Sequence, residues 1–291
     1  MVFKKILLIC KRSAYRIYFL DNKSVFAVKN KLLLARELTR LKKAHDDHYE
    51  ALEKIEQILR AQRLKYDKAF RGKKVDYRPY DLIITVGGDG TFLEAAHHAT
   101  AAQVILGVNS AVSFSVGQHC VANSHNFKQV LQKIMNHHFQ ICEYPRLRIS
   151  LDGSREKYDV LNDVLVCHRN PAMLSRYILK IGAAREEQRS SGIWMATSAG
   201  SSGAIHSAGG KLFKPTEKKI QYLTRELYRR AHYKYRLTGG VLAGRPSISI
   251  TSLMREGRVY MDGAHHHLPF GYGETIRFTI SPVPLKTFKF K

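Results

Sequence analysis

The sequence predicts an α/β protein in two parts, a parallel-sheet domain followed by a β-rich domain. Three observations carry that expectation. Up to about residue 140, short apolar runs alternate with stretches of helical spacing, the pattern of strands joined by helices. Near Tyr144 the texture changes to short alternating runs separated by turn residues. Between Asp81 and Thr100 a strand-like run, a glycine turn and a helix follow one another directly. A length of 291 residues suits two domains, and a hydrophobic content of 44% is ample for their cores.

The first ten residues, Met1-Val-Phe-Lys-Lys-Ile-Leu-Leu-Ile-Cys10, mimic a signal peptide. Their apolar core is too short and no small-residue cleavage site follows, so a first buried strand is expected. A polar and aromatic stretch runs from Lys11 to Asn30. From Lys31 to Arg63 the spacing predicts helix, with one stripe of Leu34, Leu38 and Leu41 and another of Leu52, Ile55, Ile58 and Leu59. Between the stripes, His45-Asp-Asp-His48 reads as a solvated break capped by Asp46 or Asp47, more simply than as a metal site. Lys65 to Phe70 predicts a short strand and Arg71 to Arg78 a basic connector. Asp81 to Val86 suits a buried parallel strand. Thr91 and Glu94 have capping-box spacing, which places the next helix start at Phe92. Val104 to Asn109 is another buried strand and Ser124 to Asn136 another helix. The alternation indicates a Rossmann-like sheet, whose ligands sit beyond the carboxyl ends of the strands.

In the second half, strands are expected at 147–151, 160–166, 177–181, 193–197, 247–253, 259–261 and 275–280, with one helix at Thr216 to His232. The domain limits are set at 1–143 and 144–275, with 276–291 as a final segment.

The chemistry centres on Gly87-Gly-Asp-Gly-Thr91. Three glycines free the backbone to approach a ligand, and the N–H groups at a helix start favour phosphate. A carboxylate there, Asp89, makes sense if it faces a hydroxyl that must lose its proton, or a divalent metal carried by phosphates. Asn109 would lie at the same strand ends. Further along, Leu161-Asn-Asp-Val164 puts Asn162 and Asp163 inside an apolar strand, where both need partners that a ligand could supply. Arg189 to Gly210 runs a short apolar strand into small hydroxyl and glycine residues, a backbone able to wrap a ligand. His265-His-His267 and His97-His98 lack any metal-ligand spacing and read as surface residues, so no metal ligands are assigned. Cys10, Cys120, Cys142 and Cys167 are widely spaced, which suits a reducing cytoplasm. No run of about eighteen apolar residues occurs, so no transmembrane segment is expected. The net charge of +24 is unusual. It fits a lysine-rich solvated surface or the focusing of anionic nucleotides, whereas no nucleic-acid module is recognisable and no nucleic acid is expected as partner.

Gly-Gly-Asp-Gly-Thr is shared by NAD kinases, by diacylglycerol and sphingosine kinases and, in related form, by phosphofructokinases. The order of the later pieces distinguishes them: Gly107-Val-Asn109, Leu161-Asn-Asp163, Arg189-Ser-Ser-Gly192, Thr197-Ser-Ala-Gly-Ser-Ser202, Ser207-Ala-Gly-Gly210 and Asp262-Gly263. In this order the chain resembles the NAD kinase family along nearly its whole length. It looks closest to the mitochondrial-type branch, which likewise has Ser-Ser-Gly where others have an Asp-Gly pair.

The resemblance implies Mg²⁺-dependent phosphoryl transfer from ATP or polyphosphate to the adenosine ribose 2′-hydroxyl of NAD, giving NADP. It implies NAD between the two domains, a last strand that returns to the first, and a homodimer or homotetramer; the cytoplasmic setting is expected from the cysteines alone. Asp89 matches the family's catalytic aspartate, and Gly87, Gly88, Gly90 and Thr91 its phosphate loop. Asn162 matches the asparagine that contacts NAD, and Arg189 a basic residue near the new phosphate. Ser202, Gly203 and Ser207 fall in the adenosine-wrapping segment; Asn109, Asp163, Arg176 and Ser191 complete the candidate binding residues. Asp163 stands where glutamate is usual and implies a longer or water-bridged contact. Ser191 stands where many members have aspartate, Ser198-Ala199 replaces Pro-Thr, and Ala204 replaces an aromatic residue. Two alternatives remain, a lipid or sugar kinase with the same loop and a non-catalytic NAD(P)-binding protein.

Overall fold

The computed structural model describes residues 3–21, 34–228, 233–244 and 246–290. The chain forms two compact units, Met1–Cys142 with Lys286–Lys291, and Glu143–Leu285.

The first unit is built on a sheet containing β1 (Ile6–Cys10), β2 (Tyr66–Phe70), β3 (Leu82–Gly87), β4 (Val104–Asn109), β5 (Ala122–Asn123) and β6 (Gln140–Tyr144). Every residue of β1, β3 and β4 is buried. That is why they read as continuous apolar runs: helices and loops cover a parallel sheet on both faces. β1 pairs in parallel with β2 and β3, and β3 with β4, whose short partner is β5. The helices are α1 (Leu34–Ala61), α2 (Asp89–His98) and α3 (Phe127–Met135). Leu52, Ile55 and Leu59 of α1, with Phe127, Val130, Leu131 and Ile134 of α3, pack against Leu8, Ile84 and Leu106 in one core.

The second unit holds two six-stranded antiparallel sheets. One contains β7 (Leu147–Leu151), β8 (Lys157–Val160), β10 (Ser175–Ile181), β11 (Ala184–Ser190), β15 (Ile248–Ser252) and β18 (Thr275–Ile280). The other contains β9 (Asp163–His168), β12 (Gly192–Thr197), β13 (Lys219–Arg225), β14 (Gly239–Ala243), β16 (Gly257–Met261) and β17 (His266–Phe270). Leu147, Ile149, Leu179, Ile250 and Phe278 of the first share a core with Val164, Val166, Ile193, Met195 and Val259 of the second. Last comes β19 (Leu285–Lys289), which pairs in parallel with β4 and lies between β4 and β6 in the first unit's sheet.

Four expectations need correction. The segment 276–291 does not leave the second unit as a whole: Thr275–Ile280 pairs with β15 and β7, and the chain rejoins the first unit only at Lys286. The helix expected at 216–232 is strand β13 over Lys219–Arg225, while residues 229–232 lie outside the described residues. Ile220 and Tyr222 point into the sandwich, and the opposite-facing Gln221 is engaged by the Lys211 backbone. Long-range pairing with β12 and β14 therefore overrides the local helical spacing. The strand expected at 160–166 is interrupted at Leu161-Asn162, between β8 and β9. Finally, α1 passes unbroken through His45-Asp-Asp-His48. Of its first stripe, Leu38 and Leu41 are only half-buried, and the side chain of Leu34 lies outside the described residues.

His48 explains the continuity of α1. It is fully buried; its Nε2 donates to the Lys11 carbonyl (3.0 Å), so Nδ1 accepts from the Ser110 hydroxyl (2.8 Å). Burial, reinforced by the Lys11 charge, pushes its pKa down to about 4 and holds it neutral. His45 bonds Ser13 at 2.6 Å and Asp46 pairs with Lys42 one turn earlier, so the tetrad ties α1 to its surroundings instead of ending it.

Phe288 in β19 is 1% exposed and packs edge-on against Phe3 and Phe139. Phe288→Ala should destabilise the protein by about 3–5 kcal/mol, the cost of a buried phenyl ring. Urea denaturation checks this, and a loss under about 1 kcal/mol would show that the last strand is not docked.

Candidate active site

The glycine turn joins β3 to α2. Gly88 is the N-cap, in extended conformation, and α2 begins at Asp89 rather than at Phe92. The expected capping box does not form, and no side chain caps the helix. Glu94 instead accepts from the Gly72 N–H at 2.6 Å and from Arg71 Nε at 3.2 Å, while Thr91 is buried. The Thr91 and Phe92 N–H groups donate to the Gly88 carbonyl, which leaves the Asp89 and Gly90 N–H groups outside the intrahelical ladder, where a helix start favours an anion.

The glycines are set by contact. A Cβ at Gly87 would lie 2.2 Å from Thr91 Oγ1, at Gly88 2.2 Å from Ser115 Oγ, and at Gly90 2.7 Å from Arg71 Nη1. Asp89 Oδ1 accepts the His119 N–H at 2.9 Å, and Oδ2 accepts no hydrogen bond among the described residues. The His119 ring stacks on Phe92 (5.1 Å, 14°), and burial holds its pKa down against the pull of Asp89. Asn109 is aligned with Gly87 across β3 and β4. Its amide is engaged locally, donating to the Ser115 carbonyl and accepting from the Ala111 N–H.

In the second unit, the interruption between β8 and β9 is held by Asp262. Its Oδ1 accepts the Asn162 N–H at 2.6 Å and its Oδ2 the Leu161 N–H at 3.2 Å, with the Asp262 backbone at φ +51°. Part of the residue's surface is exposed, yet the carboxyl group itself is enclosed, and burial pushes its pKa up to about 7. Asp163 is buried, and its Oδ2 accepts the Ala204 N–H at 2.6 Å, at the start of a single helical turn, α4 (Ala204–Ser207). The bond is direct, so the shorter side chain serves the fold of the 198–204 loop. Burial also raises the Asp163 pKa against the backbone N–H groups that favour its charge.

Asn162, Asp163 and the glycine loop are therefore one constellation. A Cβ at Gly200 would fall 1.5 Å from the Asn162 carbonyl, and at Gly203 2.5 Å from Asp163 Oδ2. Ser202 and Ser207 are exposed on this loop, whereas the buried Ser198 hydroxyl has no partner among the described residues. Such an orphaned hydroxyl suits a polar ligand.

Arg176, Arg189 and Ser191 are not brought to this place. Asp163 pairs with Ala196 near one end of β12, whereas Ser191 precedes its other end. Ser191 and Thr197 are six strand steps apart, roughly 20 Å. Arg176 and Arg189 are cross-strand neighbours, 3.5 and 3.6 Å from Glu187, and Arg189 Nε is buried without a hydrogen bond. Asp262 is the residue that sequence reasoning left without a role, although Asp262-Gly263 stood in the matched motifs. Its partners are about a hundred residues away and invisible locally.

Two predictions follow from these contacts. Gly200→Ala should destabilise the second unit by at least about 1–3 kcal/mol, since only backbone could yield; an unchanged denaturation midpoint would contradict the contact. For Asp262 the folded pKa, about 7, lies above the unfolded value. The folded state therefore binds the proton more tightly, and this group's contribution falls as pH rises from about 4 to about 7, by at most ~1.4 kcal/mol per unit. The stability difference between wild type and Asp262→Asn should shrink between pH 5 and pH 7 in urea titrations. A constant difference would overturn it.

Residues 6–139 match the model of the ATP-NAD kinase N-terminal domain. A probable NADH kinase of Oryza sativa subsp. japonica is 32% identical over 71% of this chain and 70% of its own length. An NAD kinase of Methanopyrus kandleri is 36% identical over half of each chain. An NADH kinase of Arabidopsis thaliana is 28% identical over 72% of each. The fold is that of an NAD kinase from Archaeoglobus fulgidus crystallised with ATP, with a TM-score of 0.69 and 20% identity, covering 98% of this chain and 93% of that one. With a glycine turn that opens a helix on Asp89 and a rice relative matched over most of both chains, the protein belongs to the NAD kinase family.

Proposed function

We propose that the protein transfers a phosphoryl group from ATP to the adenosine ribose 2′-hydroxyl of NAD, giving NADP. The observation that carries this reading is Asp89, in a chain of the NAD kinase family. Its carboxylate opens α2 with Oδ1 fixed by the His119 N–H. Oδ2 is then the oxygen placed to orient the hydroxyl and take its proton. The 2′-oxygen bonds to the donor's terminal phosphorus as the bond from that phosphorus to its bridging oxygen breaks. Gly87, Gly88, Gly90 and Thr91 form the turn against which the donor phosphates lie, and positioning with charge stabilisation accounts for most of the catalysis.

Among the described residues no group of three or more His, Cys, Asp or Glu side chains converges as a metal site. Mg²⁺ would be held by the donor's phosphates, with Asp89 as the carboxylate nearest the turn, and would supply charge that offsets that of the transferred group. Asn162, Gly203, Ser202 and Ser207 are the NAD contacts of the second unit; Asp163 acts by holding their loop, and Asn109 by folding the 109–115 segment. The distance of Arg176, Arg189 and Ser191 from Asn162 supports a homodimer or homotetramer, in which they serve a nucleotide held by a second copy. Four free cysteines support a cytoplasmic setting. No helix of the described residues is long and apolar enough to cross a membrane. NADH is the second acceptor, because the rice and Arabidopsis relatives are named for it.

An NADP-specific dehydrogenase reads the reaction. Wild-type protein with NAD or NADH, Mg²⁺ and ATP or polyphosphate should form NADP or NADPH. Asp89→Asn should lower kcat by about 10²–10⁴-fold while still binding NAD in calorimetry. A variant that keeps more than about a tenth of the activity would remove Asp89 as base. NAD binding without turnover in the wild type would point to a nucleotide-sensing protein, and no NAD binding to a lipid or sugar acceptor.

A further inference from the structure

Arg71 is absent from every motif that carries the family resemblance, yet its guanidinium lies on the phosphate turn. It is the first residue after β2, and its N–H donates to the Cys10 carbonyl at 2.8 Å, which pins the backbone to the end of β1. The next residue, Gly72, turns away with φ +80° and donates its N–H to Glu94 Oε1 at 2.6 Å. Arg71 Nε donates to Glu94 Oε2 at 3.2 Å. One carboxylate therefore holds both the backbone and the side chain of this corner, and it does so from α2, one turn beyond Gly90. The result is a guanidinium laid against the turn, with Nη1 2.7 Å from the place a Cβ on Gly90 would occupy.

Three features make this more than a surface ion pair. The Arg71 side chain is 32% exposed and that of Glu94 12%, so the pair is partly shielded from solvent. Nε is the donor engaged by Glu94, and Nη1 and Nη2 donate to no group among the described residues. Those two nitrogens present the planar donor pair that suits phosphate oxygens. A cation at the first turn of a helix also faces the positive end of the helix dipole, an unfavourable place unless an anion comes with it. Glu94 balances one edge of the guanidinium. A phosphate at the turn would balance the other.

We infer that Arg71 binds the phosphate donor at the Gly87–Thr91 turn, neutralising charge on its phosphates, and that Glu94 is the residue that positions it. The inference rests on the proposed kinase reaction but concerns the donor alone. It also gives Gly90 a further reason to be glycine, since a methyl group there would displace the guanidinium.

Calorimetry of ATP and of tripolyphosphate with the full chain, without NAD, tests the binding directly. Arg71→Ala should weaken both by about tenfold or more, whereas Arg71→Lys, which keeps the charge and loses the fork, should fall between it and wild type. In the coupled assay Arg71→Ala should raise the KM for ATP and lower kcat by about 10²–10³-fold, with the KM for NAD within about twofold of wild type. Added guanidinium ion should restore part of the lost kcat, which a merely structural role would not show. Glu94→Gln keeps an acceptor for Gly72 and should raise the KM for ATP several-fold without altering that for NAD. Unchanged ATP and tripolyphosphate binding by both Arg71 variants, with melting temperatures like wild type, would overturn the inference. So would an equal loss for NAD and ATP. If Arg71→Ala loses ATP binding while the wild type makes no NADP from NAD, the acceptor assignment fails and the donor role of Arg71 stands.

Discussion

Close approach of backbone to its neighbours is the constraint on which the turn at Asp89 and the chain break at Leu161-Asn162 both depend. Around Asp89, a Cβ at Gly87, Gly88 or Gly90 would meet Thr91, Ser115 or Arg71 at under 3 Å. In the second unit, Gly200 lies directly on the Asn162 carbonyl and Gly203 on the Asp163 carboxylate. None of these five glycines has a positive φ, so space and not backbone conformation selects them. The glycines let side chains and backbone from other segments approach the chain closely at both places.

Those side chains are in turn held by buried polar contacts that are nearly all satisfied. His48 joins α1 to the ends of β1 and β4 through both ring nitrogens. Asp262 joins β16 to the Leu161-Asn162 break, and Asp163 joins β9 to α4. Each places a charge or ring in a low-dielectric setting, which costs stability unless every donor and acceptor is met. The raised pKa of Asp262 and the lowered pKa of His48 are two signs of the same desolvation, acting on an acid and on a base. The buried Ser198 hydroxyl, Tyr235 hydroxyl and Arg189 Nε depart from this rule among the described residues.

The positive charge is resolved into uses of different kinds. Some cations lie in exposed pairs such as Arg78 with Asp76 and Arg277 with Asp152, which add little to stability and nothing to the excess charge. A few cations are fixed. Arg146 is 2% exposed and donates to the Val283 carbonyl, Arg176 and Arg189 flank Glu187, and Arg71 rests on the glycine turn. Placement separates the fixed cations from the surface ones, and composition carries no trace of it.

The sequence by itself determined the strand, turn and helix around Asp89, the parallel sheet and the β-rich second half. Each rests on local signals: continuous apolar runs, short alternation and glycine punctuation are all contained within about ten residues. The order of motifs likewise carried the family. Tertiary structure decided what depends on partners far along the chain. Residues 219–225 became a strand because β12 and β14 offer ladders on both sides. α1 runs through His45-Asp-Asp-His48 because Ser13, Lys11 and Ser110 supply partners outside the helix. Glu94 left the capping box because Arg71 and Gly72 reach it first. The last strand belongs to the first sheet because β4 has an edge to pair and Phe288 a core to enter. A charged or polar side chain shows its chemistry in the sequence, but which buried group it satisfies is fixed only when the chain closes on itself.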